Sequence, residues 1–273
     1  MKDKISLAGD LGSGKSTVSK ILIERLGMEY YSTGSIVRSI AAEMDMQIAE
    51  FNKYMETHPE IDHRIDDGLV ALSDLDKSLV IDSRMAWHFT KDTFKVYLST
   101  DVETSALRIM CANRAGEHSA TLEDTVRDTL ARRKSEQKRY MEQYGVDIKD
   151  LSNYSLVVDT SYATPDEVAE VIIESLAAWR EDKDIKLCFI SPERLYYTDD
   201  EPDADKLSEY TAALECAESI PTPTVFECEG KFYVDEGVES VLAYSFDMRT
   251  LVPVRLVRGT PEGKSYVQMK NSL

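Results

Sequence analysis

Residues 9–16 read Gly-Asp-Leu-Gly-Ser-Gly-Lys-Ser, a complete G-x-x-x-x-G-K-[ST] phosphate loop. An apolar run at 5–8 precedes it, and a helix-compatible stretch at 17–26 follows. Strand, loop and helix in that order let successive backbone N–H groups converge on a triphosphate, with the partial positive charge of a helix start behind them. Lys15 is placed to reach the β- and γ-phosphates, and the Ser16 hydroxyl to hold Mg²⁺. The loop predicts binding of a nucleoside triphosphate. It leaves the class open, because GTPases, motor ATPases and small-molecule kinases all use it.

Charge narrows the partners. The chain carries 32 basic and 50 acidic side chains, a net charge of −18, which disfavours nucleic acid and anionic membranes as partners. A nucleotide enzyme with such a surface must gather its cations locally, and Arg132, Arg133, Lys134, Lys138 and Arg139 fall within eight residues. No apolar run approaches the roughly 20 residues of a membrane span. The first residues lead straight into the first strand and leave no room for a signal peptide. Cys111, Cys188, Cys216 and Cys228 are scattered, as expected of reduced thiols in a cytoplasmic protein.

Strand-like segments at 5–8, 29–31, 78–81, 94–98 and 156–159 alternate with helical ones at 14–26, 34–45, 48–57, 61–73, 102–113, 121–143 and 165–179. That alternation predicts an α/β domain over 1–180, a parallel sheet covered by helices. A charged break at 180–184 then precedes a smaller α+β domain over 185–273. Its expected elements are a strand at 186–190, a turn at Ser191-Pro192, an acidic loop, a helix at 204–217 and strands at 224–227 and 231–234 around Glu229-Gly230. A helix at 237–246 and one strand at 252–257 complete it.

Three further stretches carry chemistry. Residues 30–38 open a helix with hydroxyl residues and place Arg38 one turn in, a start suited to a second phosphate. A capped helix with a surface arginine has the same pattern. Asp82-Ser83-Arg84 ends a buried strand, where open α/β sheets place ligands. Asp82 can hold Mg²⁺ through water there and Arg84 can meet an acceptor, although a surface turn reads alike. Arg132, Glu136 and Arg139 share one helix face by their spacing of four and seven. Charge runs on exposed helices also serve solubility alone. Arg108 and Arg114 add further cations nearby. The histidines at 58, 63, 88 and 118 lack any carboxylate–nucleophile pattern.

Residues 1–180 resemble the cytidylate kinase family, particularly its short archaeal-type branch. The resemblance is carried by GDLGSGKST, YYSTGSIVR, EFNKYMETHPEIDHRID, VIDSR, RRKSEQKRYMEQYGVDIKDLSNYSLVVDTS and the closing PDEV helix. It implies a P-loop nucleoside monophosphate kinase that moves the γ-phosphoryl group of ATP to CMP or dCMP with Mg²⁺. On that resemblance Gly9, Gly14, Lys15, Ser16 and Thr17 bind ATP and its Mg²⁺, with Gly12 expected beside them in the loop; Asp82 is expected at the metal from its place at the strand end. Thr33, Arg38, Arg84 and Glu136 bind the acceptor, while Lys15, Arg132 and Arg139 stabilise the transferring phosphate. The chain departs from the family at Ser83, where glycine is usual and permits backbone angles costly to serine, at Arg133, where glutamate is usual, and at Ser155.

The stretches at 190–195, 221–225, 229–235, 241–243 and 251–254 carry a second resemblance: residues 185–259 resemble the ParB-like/sulfiredoxin-like superfamily. Its phosphate-handling His and Arg positions are Glu239 and Ser240 here, which implies a retained fold without catalysis, serving a protein or ligand partner. The resemblances leave two readings. One is a nucleoside monophosphate kinase, with another small phosphorylated acceptor as a variant. The other is a nucleotide-binding sensor or scaffold that signals through its C-terminal domain.

Overall fold

The computed structural model describes residues 2–112, 121–261 and 263–269, and the chain divides into two compact units. The first comprises residues up to Val157 together with Pro165–Ile185; the second comprises Val158–Thr164 and the residues from Lys186 onward.

In the first unit the apolar run forms β1 (Lys4–Gly9), buried along its whole length. The phosphate loop follows and opens α1 (Lys15–Leu26). Then come β2 (Glu29–Ser32), α2 (Thr33–Glu43), α3 (Ile48–Met55), α4 (Pro59–Ala71), β3 (Leu79–Asp82), the short α5 (Ala86–Phe89) and β4 (Thr93–Ser99). The unit closes with α6 (Val102–Cys111), the long α7 (Leu122–Tyr144), β5 (Leu156–Asp159) and α8 (Pro165–Glu181). β5 enters at its first half, since the unit boundary falls after Val157. Strand order is β5-β4-β1-β3-β2, and the β1–β3, β1–β4 and β2–β3 pairs are parallel. The expected parallel α/β architecture is present.

The strand ends carry the loop and Asp82 because register puts them there. Leu7 pairs with Asp82, and Ser32 pairs with Asp82 on the other side. Two apolar clusters fix the helices. One gathers Leu69, Leu79, Ile81, Met85 and Tyr140, tying α4, β3 and α7 together. The other gathers Ala41, Ile48, Phe51, Met55 and Ile65 from α2, α3 and α4.

Several elements begin or end away from their expected positions for local reasons. α4 starts at Pro59 instead of 61, since proline at the first helical position loses no hydrogen bond. α2 starts at Thr33 because the Ser32 hydroxyl accepts the Ser35 N–H at 3.3 Å. The expected end of the 102–113 helix, with Arg114 and His118 beyond it, lies outside the described residues.

The second unit contains β6 (Leu187–Ile190), β7 (Leu195–Thr198), α9 (Ala204–Glu215), β8 (Thr224–Cys228), β9 (Lys231–Glu236) and α10 (Val238–Phe246). It continues with β10 (Val252–Pro253), β11 (Arg255–Leu256) and β12 (Tyr266–Gln268). Among the described residues it holds a mixed sheet in the order β11-β8-β9-β7-β12, with β10 antiparallel to β6. The single strand expected at 252–257 is two short ones, each on a different partner: β10 pairs with β6 and β11 with β8. Ser191-Pro192 leads into a short 3₁₀ turn at Pro192–Arg194. Among the described residues no helix is long and apolar enough to cross a membrane, and the four cysteines are unpaired.

Gly9 shows how tightly the loop is seated. Its φ is +147°, and a Cβ there would lie 2.4 Å from the Leu98 carbonyl oxygen. Gly9→Ala is expected to destabilise the fold by about 3 kcal/mol, since neither backbone can retreat inside the sheet. Urea unfolding monitored by circular dichroism checks this; a loss below about 1 kcal/mol contradicts the packing argument.

Candidate active site

One cavity in the first unit runs from the phosphate loop to the start of α3. Its loop end is lined by Gly12, Gly14, Lys15 and Ser16, and its middle by Asp82, Arg84, Arg132 and Glu136. Thr33, Arg38, Val37, Ile48, Asn52 and Arg139 line the remainder. Eleven of the thirteen residues singled out in the sequence therefore meet at one surface. Gly9 and Thr17 do not line it. The Gly9 carbonyl instead accepts from Lys15 and Arg84, and the Thr17 N–H donates to the Gly14 carbonyl at 2.9 Å in the first turn of α1.

Gly14 has φ +81°, and an added Cβ would meet nothing within 4 Å. The space beside it belongs to the cavity, as a phosphate cradle requires. Lys15 Nζ lies across the loop, donating to the carbonyls of Gly9 (3.1 Å) and Asp10 (2.9 Å). Burial and the neighbouring Arg84 guanidinium push its pKa down to about 7, against the pull of Asp82, Asp10 and Glu136.

The central charge group is an arginine–acid–arginine bridge. Arg84 Nε donates to Glu136 Oε2 at 2.8 Å, and Arg132 Nε to Glu136 Oε1 at 3.2 Å. Glu136 is 6% exposed. Burial favours its neutral form, yet Arg84 and Arg132 outweigh that and hold its pKa down at about 2. Arg84 in turn donates to the Gly9 carbonyl at 2.6 Å, and despite its burial Glu136 raises its pKa. Arg139 is more deeply committed, with Nε 3.0 Å from Asp62 and a donated bond to the Asn52 carbonyl at 3.4 Å.

The departures from the family pattern find physical settings. Ser83 is not among the residues with positive φ, so the strain expected for serine is absent. Its hydroxyl accepts the Met85 N–H at 3.2 Å and caps the turn into α5. Arg133 faces the loop residue Asp10, with Nε 3.9 Å from the carboxylate.

Asp82 is 9% exposed and accepts the Tyr30 hydroxyl at 3.0 Å. Among the described residues no group of three or more His, Cys, Asp or Glu side chains is arranged to hold a metal by itself. Ser16 and Asp82 suit Mg²⁺, which takes one or two protein oxygens and completes its shell with phosphate oxygens and water. The sequence reading missed Asn52. It sits on α3 at the far end of the cavity, and a lone asparagine in a helical stretch carries no spacing signal.

A phosphate loop between β1 and α1 of a parallel sheet, with arginines facing it across one cavity, defines a P-loop kinase. Residues 4–162 match the model of the cytidylate kinase-like family, and the chain belongs to that family. A cytidylate kinase of Thermoplasma volcanium is 36% identical over 177 residues, covering 63% of this chain and 90% of that protein. A cytidylate kinase of Sulfurisphaera tokodaii is 34% identical over 170 residues, covering 62% and 92%. An S-adenosylmethionine-dependent nucleotide dehydratase of Lacinutrix mariniflava is 39% identical over 175 residues, 64% of this chain; the matched part spans 36% of that relative.

Since Lys15 titrates near pH 7 in the free protein, it is largely uncharged at pH 8. A bound triphosphate favours the charged form, so binding at pH 8 should take up a proton. Calorimetry at pH 8 in buffers of different ionisation enthalpy should give binding heats that differ accordingly, and Lys15→Ala should abolish the difference. Equal heats for the unaltered protein would contradict the depressed lysine.

Proposed function

We propose that this chain transfers the γ-phosphoryl group of ATP to a nucleoside monophosphate, with CMP or dCMP as acceptor. The observation that carries the reading is one cavity lined at once by the phosphate loop, by the Arg84–Glu136–Arg132 bridge and by Thr33 and Arg38 at the start of α2. The names of the cytidylate kinases to which its matched segment is about a third identical support the acceptor.

In this reading the loop N–H groups and Lys15 hold the triphosphate, and Ser16 and Asp82 would hold Mg²⁺, which would supply charge neutralisation to the phosphates. Arg38 and Thr33 receive the acceptor's phosphate, whose oxygen is already anionic and needs no general base to attack in line. Arg132 and Arg139 supply positive charge around the equatorial oxygens as the γ-phosphoryl group moves. Glu136 keeps Arg84 and Arg132 in fixed geometry and offers oxygens to a sugar hydroxyl.

Val37 and Ile48 give the far end of the cavity apolar walls suited to a base. Between them Asn52 donates its Nδ2 to the Ile48 carbonyl at 2.8 Å, which leaves the side-chain oxygen as an acceptor. An acceptor there favours the exocyclic amine of cytosine over the carbonyl of uracil. Asn52→Leu is expected to reduce the preference for CMP over UMP by about tenfold. An unchanged ratio would remove Asn52 from base recognition.

The C-terminal unit is assigned a non-catalytic role, with a protein or ligand as its partner. Arg194, 5% exposed, is committed to Asp159 (3.0 Å), Ser161 (2.8 Å) and the Gly230 carbonyl (2.9 Å). Glu239, where the ParB-like pattern has a histidine, accepts the Asp203 N–H at 3.2 Å just before α9. Arg194 is thus occupied within the unit, and Glu239 is an acid, so neither serves as a cationic phosphate ligand.

An ADP-release assay with Mg·ATP against CMP, dCMP, UMP, AMP and GMP tests the function. Turnover is expected with CMP or dCMP. Lys15→Ala and Arg132→Ala should each lower kcat by about a hundredfold or more with melting temperatures retained. ATP binding without turnover on any acceptor would replace this reading with the nucleotide-binding sensor.

A further inference from the structure

The second residue of the phosphate loop is an acid, Asp10, which brings a negative charge to a site built for anions. Asp10 is 5% exposed and does not line the nucleotide cavity, which begins at Leu11. Its carboxylate faces the back of the loop. There Oδ1 accepts from the Tyr97 hydroxyl at 3.0 Å and from Lys149 Nζ, and Oδ2 accepts the Thr100 N–H at 3.0 Å. Arg133 Nε stands 3.9 Å from the same carboxylate, while its NH2 donates to the Leu11 carbonyl at 3.4 Å. Burial alone pushes the Asp10 pKa up. Lys149 and Arg133 outweigh it and hold the carboxyl well below the usual range, so the group is an anion.

Two cations from distant parts of the chain thus meet one loop acid. Arg133 sits on α7 beside Arg132, so its contact also sets where α7 lies against the loop. Lys149 comes from the segment between α7 and β5. A buried acid stripped of one partner leaves an uncompensated charge next to the phosphate site. We infer that Arg133 and Lys149 are positioning residues for nucleotide binding: they neutralise Asp10 and brace the phosphate loop from behind, in register with α7. The glutamate-to-arginine departure at 133 is then matched to the acid at position 10, and not a defect in the active-site helix. The inference rests on the reading that the cavity binds ATP.

The test is second-site suppression in the full chain, read as the Kd for Mg·ATP by calorimetry and as the KM for ATP. Lys149→Met and Arg133→Gln should each weaken Mg·ATP by about tenfold. Adding Asp10→Asn to either should restore most of the loss, because the unpaired carboxylate is gone. The charge-retaining variants Lys149→Arg and Arg133→Lys should bind ATP within about threefold of the unaltered protein and remain testable if the neutral variants fold poorly. Multiplying losses in the double variants would overturn the proposal, as would unaltered ATP affinity in both neutral variants or a tenfold loss in the charge-retaining ones. Calorimetry needs no acceptor, so failure of CMP as a substrate leaves this result readable. Failure of the unaltered protein to bind ATP would show first and would reject the underlying reading itself.

Discussion

Like charges crowded into one cavity repel, and this site assembles Lys15, Arg84, Arg132 and Arg139 around a single space. Glu136 makes that arrangement stable. Its two oxygens take one arginine each, at 2.8 and 3.2 Å, so Arg84 and Arg132 are spaced by a shared partner and not by solvent. The low dielectric that makes an unpaired charge costly also strengthens this bridge. Removing the carboxylate would leave two guanidiniums facing each other beside a lysine. The strand ends, the start of α2 and the face of α7 all converge on the space that the bridge defines. In a chain of net charge −18 it is a local concentration of cations where an anionic substrate finds attraction.

The loop and the order of elements were legible because each rests on local signals. Glycine spacing, a strand before it and a helix after it are contiguous, and Arg132, Glu136 and Arg139 share a face by helical arithmetic alone. What the spacing could not supply were the partners. Arg84 and Glu136 are 52 residues apart, and Lys149 and Asp10 are 139 apart. They meet because α7 and the segment after it pack against the ends of β1 and β3. Short elements escaped for a different reason. β7 and α5 are four residues each and β12 is three, and none of them carries the uninterrupted aliphatic run that marked the four-residue β3 and β5. The strand expected at 252–257 failed because neighbouring strands, not its own residues, decide where pairing stops.

Departures from a family pattern weigh differently once their surroundings are known. Serine for glycine at 83 carries no conformational cost, since its backbone sits at ordinary angles and its hydroxyl accepts a bond from the turn that follows. Arginine for glutamate at 133 reverses a charge, yet the reversed charge faces an acid. In both cases the neighbour that determines the consequence is set by the fold, and for Arg133 it is more than a hundred residues away.

The cations around the loop also divide their labour by how firmly each holds its proton. Arg84 is charged under all conditions, since burial cannot neutralise a guanidinium that Glu136 stabilises. Lys15 is conditional. Its ammonium is buried near Arg84 and held by two loop carbonyls, which stabilise it less than phosphate oxygens can. With a pKa of about 7 it is charged only part of the time in the free protein at neutral pH, which eases part of the repulsion that a full set of cations would impose. On the proposed reading, a triphosphate in the loop would replace those carbonyls with anionic oxygens and favour the charged lysine. The attraction for the substrate would then be partly created by the substrate, with the full positive charge present when phosphoryl transfer requires it.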